Sequence, residues 1–185
     1  MSILDLLGLA ADEAQPGPAL AGSRAVREII RELQAMEPGQ ARYLAAFAYI
    51  LSRVARADLD ISATETRAME ERVMSFGHLA AERAHLVVEI AKNQASLFGM
   101  TQDFVVTREF KEISTVAQRA ELLHCLFAVS AADELVSNIE EEVIRQIARE
   151  LGFDHRGFVA VRSQYNDLRE VMKDLPRRTP PGEQG

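Results

Sequence analysis

The chain has 185 residues, a hydrophobic fraction of 48% and a formal net charge of −7, which fit one globular domain with a real core. The acidic balance argues against general nucleic-acid affinity, because binding to phosphates needs a basic face. No run approaches the ~18 apolar residues of a membrane span, and no basic region with a cleavage site follows Met1. We therefore expect a cytoplasmic protein.

The first 22 residues are predicted to precede the folded domain. Residues 2–10 (SILDLLGLA) form a short apolar stretch, and residues 11–22 resemble a linker because they contain Pro16, Gly17 and Pro18. Interfacial helices are usually longer and basic on one face. The stretch is therefore expected to dock on the core or fray, and membrane contact is the alternative.

From Ser23 onward, apolar residues recur at helical spacing, and no convincing run alternates with period two. The pattern predicts an all-α domain over residues 23–175, with about seven to eight helices, followed by a disordered tail at 176–185. The predicted helices cover residues 24–36, 41–57, 63–76, 80–98, 103–113, 116–132, 138–151 and 154–175.

One motif occurs twice in this helical region. Residues 57–65 read ADLDISATE and residues 132–140 read ADELVSNIE, with Ala, Asp, an Ile or Val, Ser and Glu at the same spacing. The offset of 75 also relates Gly77 to Gly152, which are both interpreted as C-terminal stops of helices. Apolar residues meet apolar residues when the flanking segments are superposed, except that Arg72 meets Ile147. The sequence therefore predicts a pseudo-twofold bundle built from a duplicated helix–loop–helix.

Part of the motif has a purely structural explanation. Ser62 with Glu65, and Ser137 with the corresponding Glu140, fit the capping box, in which Ser and Glu each accept a backbone N–H at the start of a helix. A carboxylate there also suits the positive end of the helix. Capping alone accounts for the Ser and the Glu without any function.

Capping does not account for Asp58 and Asp133. An EF-hand is rejected, because the ligand positions that precede each Asp hold residues such as Val54 and Arg56, and the glycine of the turn is absent. A pseudo-twofold axis could instead bring both loops together. It would offer Asp58, Glu65, Asp133 and Glu140 to a hard cation that relieves their mutual repulsion.

The paired motif resembles that of the tellurite-resistance TerB-like family, approximately Ala-Asp-Gly-x-Ile-Ser-x-x-Glu in each half of a helical bundle. The resemblance covers about residues 44–165 and includes the helix from Phe104 to Phe110 and the ending LGFDHRGF at 151–158. It is closest to uncharacterised bacterial members, which implies a stress-related bacterial context. It also implies divalent metal binding through Asp58, Glu65, Asp133 and Glu140, although the motif glycine is replaced in both copies.

Other residues carry weaker signals. His85 and Glu89 stand one helical turn apart, and we interpret them as a solvated pair because the second His of a zinc-protease motif is absent. His124 and Cys125 are neighbours in a helix and point about 100° apart, so they do not form a catalytic pair. Cys125 lies in an apolar run and is interpreted as a buried small hydrophobic residue.

The sequence thus favours a non-catalytic binding or scaffold module with an unidentified protein partner and no nucleic acid. The cofactor is either absent or a divalent cation: Ca²⁺, Mg²⁺, Mn²⁺ or Zn²⁺. Two alternatives stay open. One is a metal-dependent hydrolase that uses the same carboxylates, for which the sequence names no general base. The other is a membrane-peripheral accessory protein anchored by residues 2–10.

Overall fold

A computed structural model describes residues 24–54, 63–93, 103–130 and 138–174, except for the side chains of residues 63–65, 138–140 and 167–174. Every regular element within these ranges is an α-helix, which confirms the predicted fold class. None of these helices is long and apolar enough to cross a membrane. The segments predicted to be a linker (1–22) and a tail (176–185) lie outside the described residues. The helices are α1 (Arg24–Gln34), α2 (Pro38–Val54), α3 (Ala63–Gly77), α4 (Ala81–Lys92), α5 (Asp103–Ile113), α6 (Val116–Ser130), α7 (Asn138–Glu150) and α8 (His155–Asp174).

The two central helices, α2 and α6, form the core because small or apolar side chains cover most of their surface. The sequence predicts the first of them to begin at residue 41, but it begins at Pro38. Proline fits the first turn of a helix, where its missing N–H would have had no partner. Glu37 completes this helix start, since its Oε2 accepts the backbone N–H of Gln40 at 3.0 Å.

The remaining helices pack around this central pair. α3 packs mainly against α6, whereas α7 contacts both α2 and α6. α4 covers α2 and α3, α5 covers α2 and α7, and α8 covers α6. Each helix that follows a motif therefore contacts the central helix of the other half of the chain. One core joins both halves.

Positions 75 residues apart are buried alike in most cases. Both members of each aligned apolar pair lie in the core. The pairs are Phe47 and Leu122, Ile50 and Cys125, Leu51 and Leu126, Val54 and Val129, Met69 and Ile144, and Phe76 and Leu151. Arg72 is only partly buried whereas its counterpart Ile147 is fully buried, as the sequence suggests. The duplication itself stays a prediction, and the matched burial agrees with it.

The two glycines predicted as equivalent helix stops behave differently. Gly152 has a φ of +91° and ends α7 in a Schellman motif, in which Phe153 N–H donates to the Ala148 carbonyl at 2.9 Å and Gly152 N–H donates to the Arg149 carbonyl at 3.0 Å. Gly77 instead remains helical, and the left-handed residue is His78, with a φ of +51°. The prediction of one common stop is therefore wrong.

The absent side chain of Gly77 explains this difference. A Cβ at that position would lie 3.2 Å from Cζ of Phe47. Glycine therefore serves close packing of α3 against α2 and does not serve a left-handed turn. Histidine is one of the residue types that adopt the left-handed region more readily than most, which allows His78 to end the helix.

Candidate functional site

The predicted metal ligands fall largely outside the described part of the chain. Asp58 and Asp133 lie in the undescribed segments 55–62 and 131–137. Glu65 and Glu140 belong to the first turns of α3 and α7, but their side chains are outside the described residues. The two capping serines, Ser62 and Ser137, are outside as well. The site prediction and the capping prediction therefore remain predictions, and the helices that flank the motifs are what the structure contributes.

A cleft of about 470 Å³ lies at one end of the bundle. The residues that line it show in which direction the flanking helices run. It is lined by Tyr43 near the start of α2, by Gly77 at the end of α3 and by Glu121 near the start of α6. α2 and α6 therefore lead away from this far-end cleft, and α3 leads toward it. The end of α2, the start of α3 and the end of α6 consequently lie at the opposite end of the bundle.

The fourth flanking helix, α7, ends beside both central helices. Beyond its last turn, the carbonyl of Leu151 accepts a hydrogen bond from Arg119 Nη1 at 2.7 Å, near the start of α6. One residue earlier, Glu150 is bound by Arg53 in the last turn of α2, so the end of α7 lies between the start of α6 and the end of α2. Since α2 has 17 residues and is about 25 Å long, the end of α2 lies well away from the cleft, together with the start of α3 and the end of α6.

A largely buried polar network lies beside the end of α2. We call it the Arg53 network; it joins α2, α5 and α7, and its members are Tyr49, Arg53, Asp103, Thr107 and Glu150. Arg53 is in the last turn of α2, immediately before the first motif segment. Its side chain is only 8% exposed, and that of Glu150 is 12% exposed.

Arg53 uses its whole guanidinium in this network. Nη1 donates to Glu150 Oε2 at 2.7 Å and Nη2 faces Oε1 at 3.3 Å, so the pair is bidentate. Nη1 also donates to Thr107 Oγ1 at 2.8 Å, and Nε lies 3.3 Å from Asp103 Oδ2. The other carboxylate oxygen of Asp103 accepts the hydroxyl of Tyr49 at 2.8 Å. One guanidinium thereby holds the start of α5 and the end of α7 against α2.

The titration of the network follows from these contacts. Burial acts to raise the pKa of Glu150, but the hydrogen bonds and charge of Arg53 outweigh it, and the net pKa lies below its usual value. Burial, together with the hydrogen bond to Asp103, raises the pKa of Tyr49. Glu150 is therefore ionised and Tyr49 protonated at neutral pH.

The other half of the chain has no such network at the matching positions. The counterparts of Arg53 and Glu150, 75 residues away, are Ala128 and Ser75. Ala128 is buried and apolar, and Ser75 is exposed. Sequence reasoning missed the network, although a charged residue in the last turn of a largely apolar central helix was a visible signal.

The far-end cleft is polar rather than apolar. Gln40, Gln118 and Arg83 line it together with His78 and Glu121, whose Nδ1 and Oε1 lie 3.4 Å apart. Burial, with the charge of Glu121 as a smaller cause, raises the pKa of Tyr43 in this wall to about 12. The cleft therefore offers hydrogen-bonding groups without a deep hydrophobic floor, and it is remote from the motifs.

The histidine and cysteine hypotheses have clear outcomes. His85 pairs with Glu70 on α3, with Nδ1 and Oε1 2.7 Å apart, while Glu89 pairs with Lys92. The expected solvated pair of His85 and Glu89 is thus replaced by one between helices. Cys125 is fully buried, and this burial raises its pKa to about 12, so the interpretation as a small core residue is confirmed.

Within the described ranges, no three His, Cys, Asp or Glu side chains lie together as a metal site requires. Asp58, Asp133 and the side chains of Glu65 and Glu140 lie outside these ranges. The predicted metal site consequently stays a prediction.

The comparison with known proteins gives one match. A family model described as tellurite resistance protein TerB matches residues 44–163, which is more than half of the chain. No curated protein and no solved structure matches the chain. The matched region runs from α2 to the middle of α8 and contains both motif segments.

Proposed function

This chain belongs to the TerB family, and we propose that it is a non-catalytic binding module that holds one divalent cation between its two acidic motifs. The ion would bridge the two loops through Asp58, Glu65, Asp133 and Glu140. It would fix the angle between the two halves and thereby present a surface to a protein partner. Hard cations such as Ca²⁺, Mg²⁺ and Mn²⁺ suit a ligand set of carboxylate oxygens, and Zn²⁺ also accepts them.

The observation that carries this proposal is the gathering of helix ends. α2, α3 and α6 have their motif-flanking ends at the end of the bundle opposite the far-end cleft. The first motif segment therefore joins two helix ends at this end of the bundle, and the second motif segment starts there. The positive ends of α3 and α7 also favour carboxylates in their first turns.

The hydrolase alternative gains no support from the described residues. A hydrolase needs a substrate pocket and a general base beside the metal. The far-end cleft lies at the other end of the bundle, and its histidine, His78, is there as well. A binding module needs neither feature. The family name does not by itself make tellurite a ligand, since one fold hosts many functions.

The test is calorimetric titration of metal-stripped protein with Ca²⁺, Mg²⁺, Mn²⁺ and Zn²⁺. The test variant is Asp58→Ala/Asp133→Ala, which removes the acids at shared motif positions. The matched control is Asp60→Ala/Glu134→Ala, which removes the same charge from the same loops at positions that the two copies do not share. We expect binding in the wild type, its loss in the test variant and its retention in the control.

Two results would count against the proposal. Wild-type protein that releases no heat and gains no melting temperature with any of these ions binds no cation, and the motifs are then capping boxes only. Equal weakening in the two double variants would mean that the loops attract cations through net charge, without a defined site.

A further inference from the structure

The far-end cleft has the size of a small-molecule site and contains charged groups of both signs. Its volume of about 470 Å³ lies within the range of about 300–1,000 Å³ that is usual for such sites. Its lining includes Arg83 from the first turn of α4 and Glu121 from the second turn of α6, and both helices pack against α2 and α3. The cleft therefore presents a cation and a carboxylate from two different helices.

The polar contacts that border the cleft are long. Arg83 Nη2 lies 3.4 Å from Gln40 Oε1, and His78 Nδ1 lies 3.4 Å from Glu121 Oε1. Both distances exceed the roughly 2.7–3.2 Å of an ordinary N–H···O hydrogen bond. Polar contacts in active sites are often long in the free protein and tighten in the complex. These side chains therefore have hydrogen-bonding capacity left for a ligand.

Similar contacts at other helix interfaces are shorter. Arg42 Nε lies 3.0 Å from Glu109 Oε1, between α2 and α5. His85 Nδ1 lies 2.7 Å from Glu70 Oε1, between α4 and α3. Arginine and histidine side chains of this chain thus reach normal distances across helix interfaces. By this comparison, the contacts of Arg83 and His78 are incompletely formed.

The charges in the cleft are unequally engaged. Glu37 Oε2 accepts the backbone N–H of Gln40 at 3.0 Å, so Glu37 is used at the start of α2. Within the described part of the chain, Arg83 contacts an amide oxygen and pairs with no carboxylate. Glu121 has only the long contact with His78 at its Oε1. Arg83 and Glu121 are consequently the charged groups most available to a ligand.

The backbone at His78 adds a second, independent feature. His78 has a φ of +51°, in the left-handed region that residues other than glycine rarely adopt. Backbone outliers of this kind cluster at ligand-binding sites. Here the conformation places an imidazole, which can hydrogen-bond, at the edge of the cleft where glycine would supply no side chain.

We propose that the far-end cleft binds a small zwitterion of the amino-acid type, with its carboxylate on Arg83 and its ammonium group on Glu121. A guanidinium offers paired N–H donors that match a carboxylate, and a carboxylate accepts from an ammonium group. A simple anion would leave Glu121 unpaired, and a simple cation would leave Arg83 unpaired, whereas a zwitterion satisfies both. The site goes beyond the proposed function and does not depend on it.

The experiment titrates full-length, isotope-labelled protein with ω-amino acids and follows backbone chemical shifts by NMR. The series runs from glycine through β-alanine and γ-aminobutyrate to 6-aminohexanoate, so that only the separation of the two charges changes. Butyrate and butylammonium are the singly charged controls for γ-aminobutyrate. We expect binding by at least one zwitterion, with shifts at His78 and Gln118, and a roughly 10-fold or greater weakening when either charge is removed from the ligand.

Two variants test the assigned charges. Arg83→Met and Glu121→Gln should each weaken binding of the best zwitterion by roughly 10-fold or more, because each leaves one ligand charge unpaired. The matched controls are Arg162→Met on α8 and Glu28→Gln on α1, which alter charges on helices outside the cleft lining and should bind as wild type does. Circular dichroism establishes that each variant is folded.

Three results would overturn the proposal. The first is the absence of concentration-dependent shifts at the cleft with every zwitterion in the series. The second is equal binding of a zwitterion and its singly charged controls, which would mean that the two charges are not recognised together. The third is unchanged affinity in Arg83→Met and Glu121→Gln. If one of these variants does not fold, the other decides.

Discussion

The last turns of the two central helices, which lead into the motifs, are covered in different ways. The last turns of α2 meet α5 and α7 through the Arg53 network, a buried ion pair surrounded by hydrogen bonds. The last turns of α6 meet α8 through aromatic rings: Phe127 lies 5.8 Å from Phe158 and 5.6 Å from Tyr165, measured between ring centroids. The last turns of the two central helices are thus fastened by charge in one helix and by apolar area in the other.

This difference shows which positions of the two central helices are constrained and which are free to differ. Positions that face the common core are apolar in both halves, because neither half can bury its helices alone. Positions that face the outer helices differ, because α5 and α8 are different sequences. Apolar area stabilises without fixing one geometry, whereas a bidentate ion pair fixes a geometry at a cost in desolvation.

The largest effect is expected where the aromatic rings of α6 and α8 pack together. Phe127→Ala removes a buried ring that contacts both Phe158 and Tyr165, and should lower the free energy of unfolding by about 3–5 kcal/mol. Urea unfolding at two salt concentrations measures it. The loss should be nearly the same at both, since the Phe127 side chain carries no charge. A loss below about 1 kcal/mol would mean that α8 contributes little to the stability of the core.

In the Arg53 network, Arg53→Met should lower the free energy of unfolding by about 3 kcal/mol, because it leaves Glu150 buried without its charged partner. The double variant Arg53→Met/Glu150→Leu should recover most of this loss, since an apolar pair no longer carries an unpaired charge. Urea unfolding of both variants measures the difference. A double variant as unstable as the single one would mean that the ion pair itself stabilises the fold.

The two glycines at the matching helix ends provide a smaller contrast. Gly152→Ala places a side chain at a φ of +91° and should destabilise the protein by about 1–2 kcal/mol. Gly77→Ala gains roughly 1 kcal/mol of helix propensity, which the contact of its Cβ with Phe47 offsets. Thermal unfolding should therefore show a loss for the first variant and little change for the second. Equal losses would contradict the assignment of different roles.

The smallest expected effect is a dependence of stability on pH that originates in His124, which lies on α6. Burial, with the nearby His78 acting in the same direction, lowers its pKa below 6.5, and its Nε2 has no hydrogen-bond partner among the described residues. As the pH falls below 6.5, the unfolded chain therefore binds a proton first, and the folded state loses stability until the lowered pKa is passed.

His124→Leu should remove this slope, which urea unfolding at several pH values below 6.5 measures. Glu150 acts at lower pH, because its pKa lies below 4.5, so its contribution is present above that value and is lost only on further acidification. A slope unchanged in His124→Leu would assign the effect to other groups.

The sequence predicted the helices well because apolar spacing determines them locally. It predicted the burial of Cys125 for the same reason. It missed the Arg53 network, since Arg53 and Glu150 are 97 residues apart and only the packing of α7 on α2 brings them together. It also misjudged Gly77, whose role depends on Phe47, a contact between helices that spacing alone does not reveal.

The motif carboxylates, unlike the Arg53 network, were found from the sequence and not from the structure. Asp58 and Asp133 were identified from sequence by their equal spacing, and the structure contributes the positions of the helices around them. No local rule fixes how two loops meet, because that depends on the angle between the two halves. The predicted site is therefore tested best by its chemistry.

The most direct test is the stoichiometry of ion binding to the single variants Asp58→Ala and Asp133→Ala, measured by calorimetry beside wild type. One cation that bridges both motifs predicts one ion per wild-type chain and weakened binding of that ion in either single variant. Two ions per wild-type chain, with each single variant losing one and retaining the other at full affinity, would contradict the shared site.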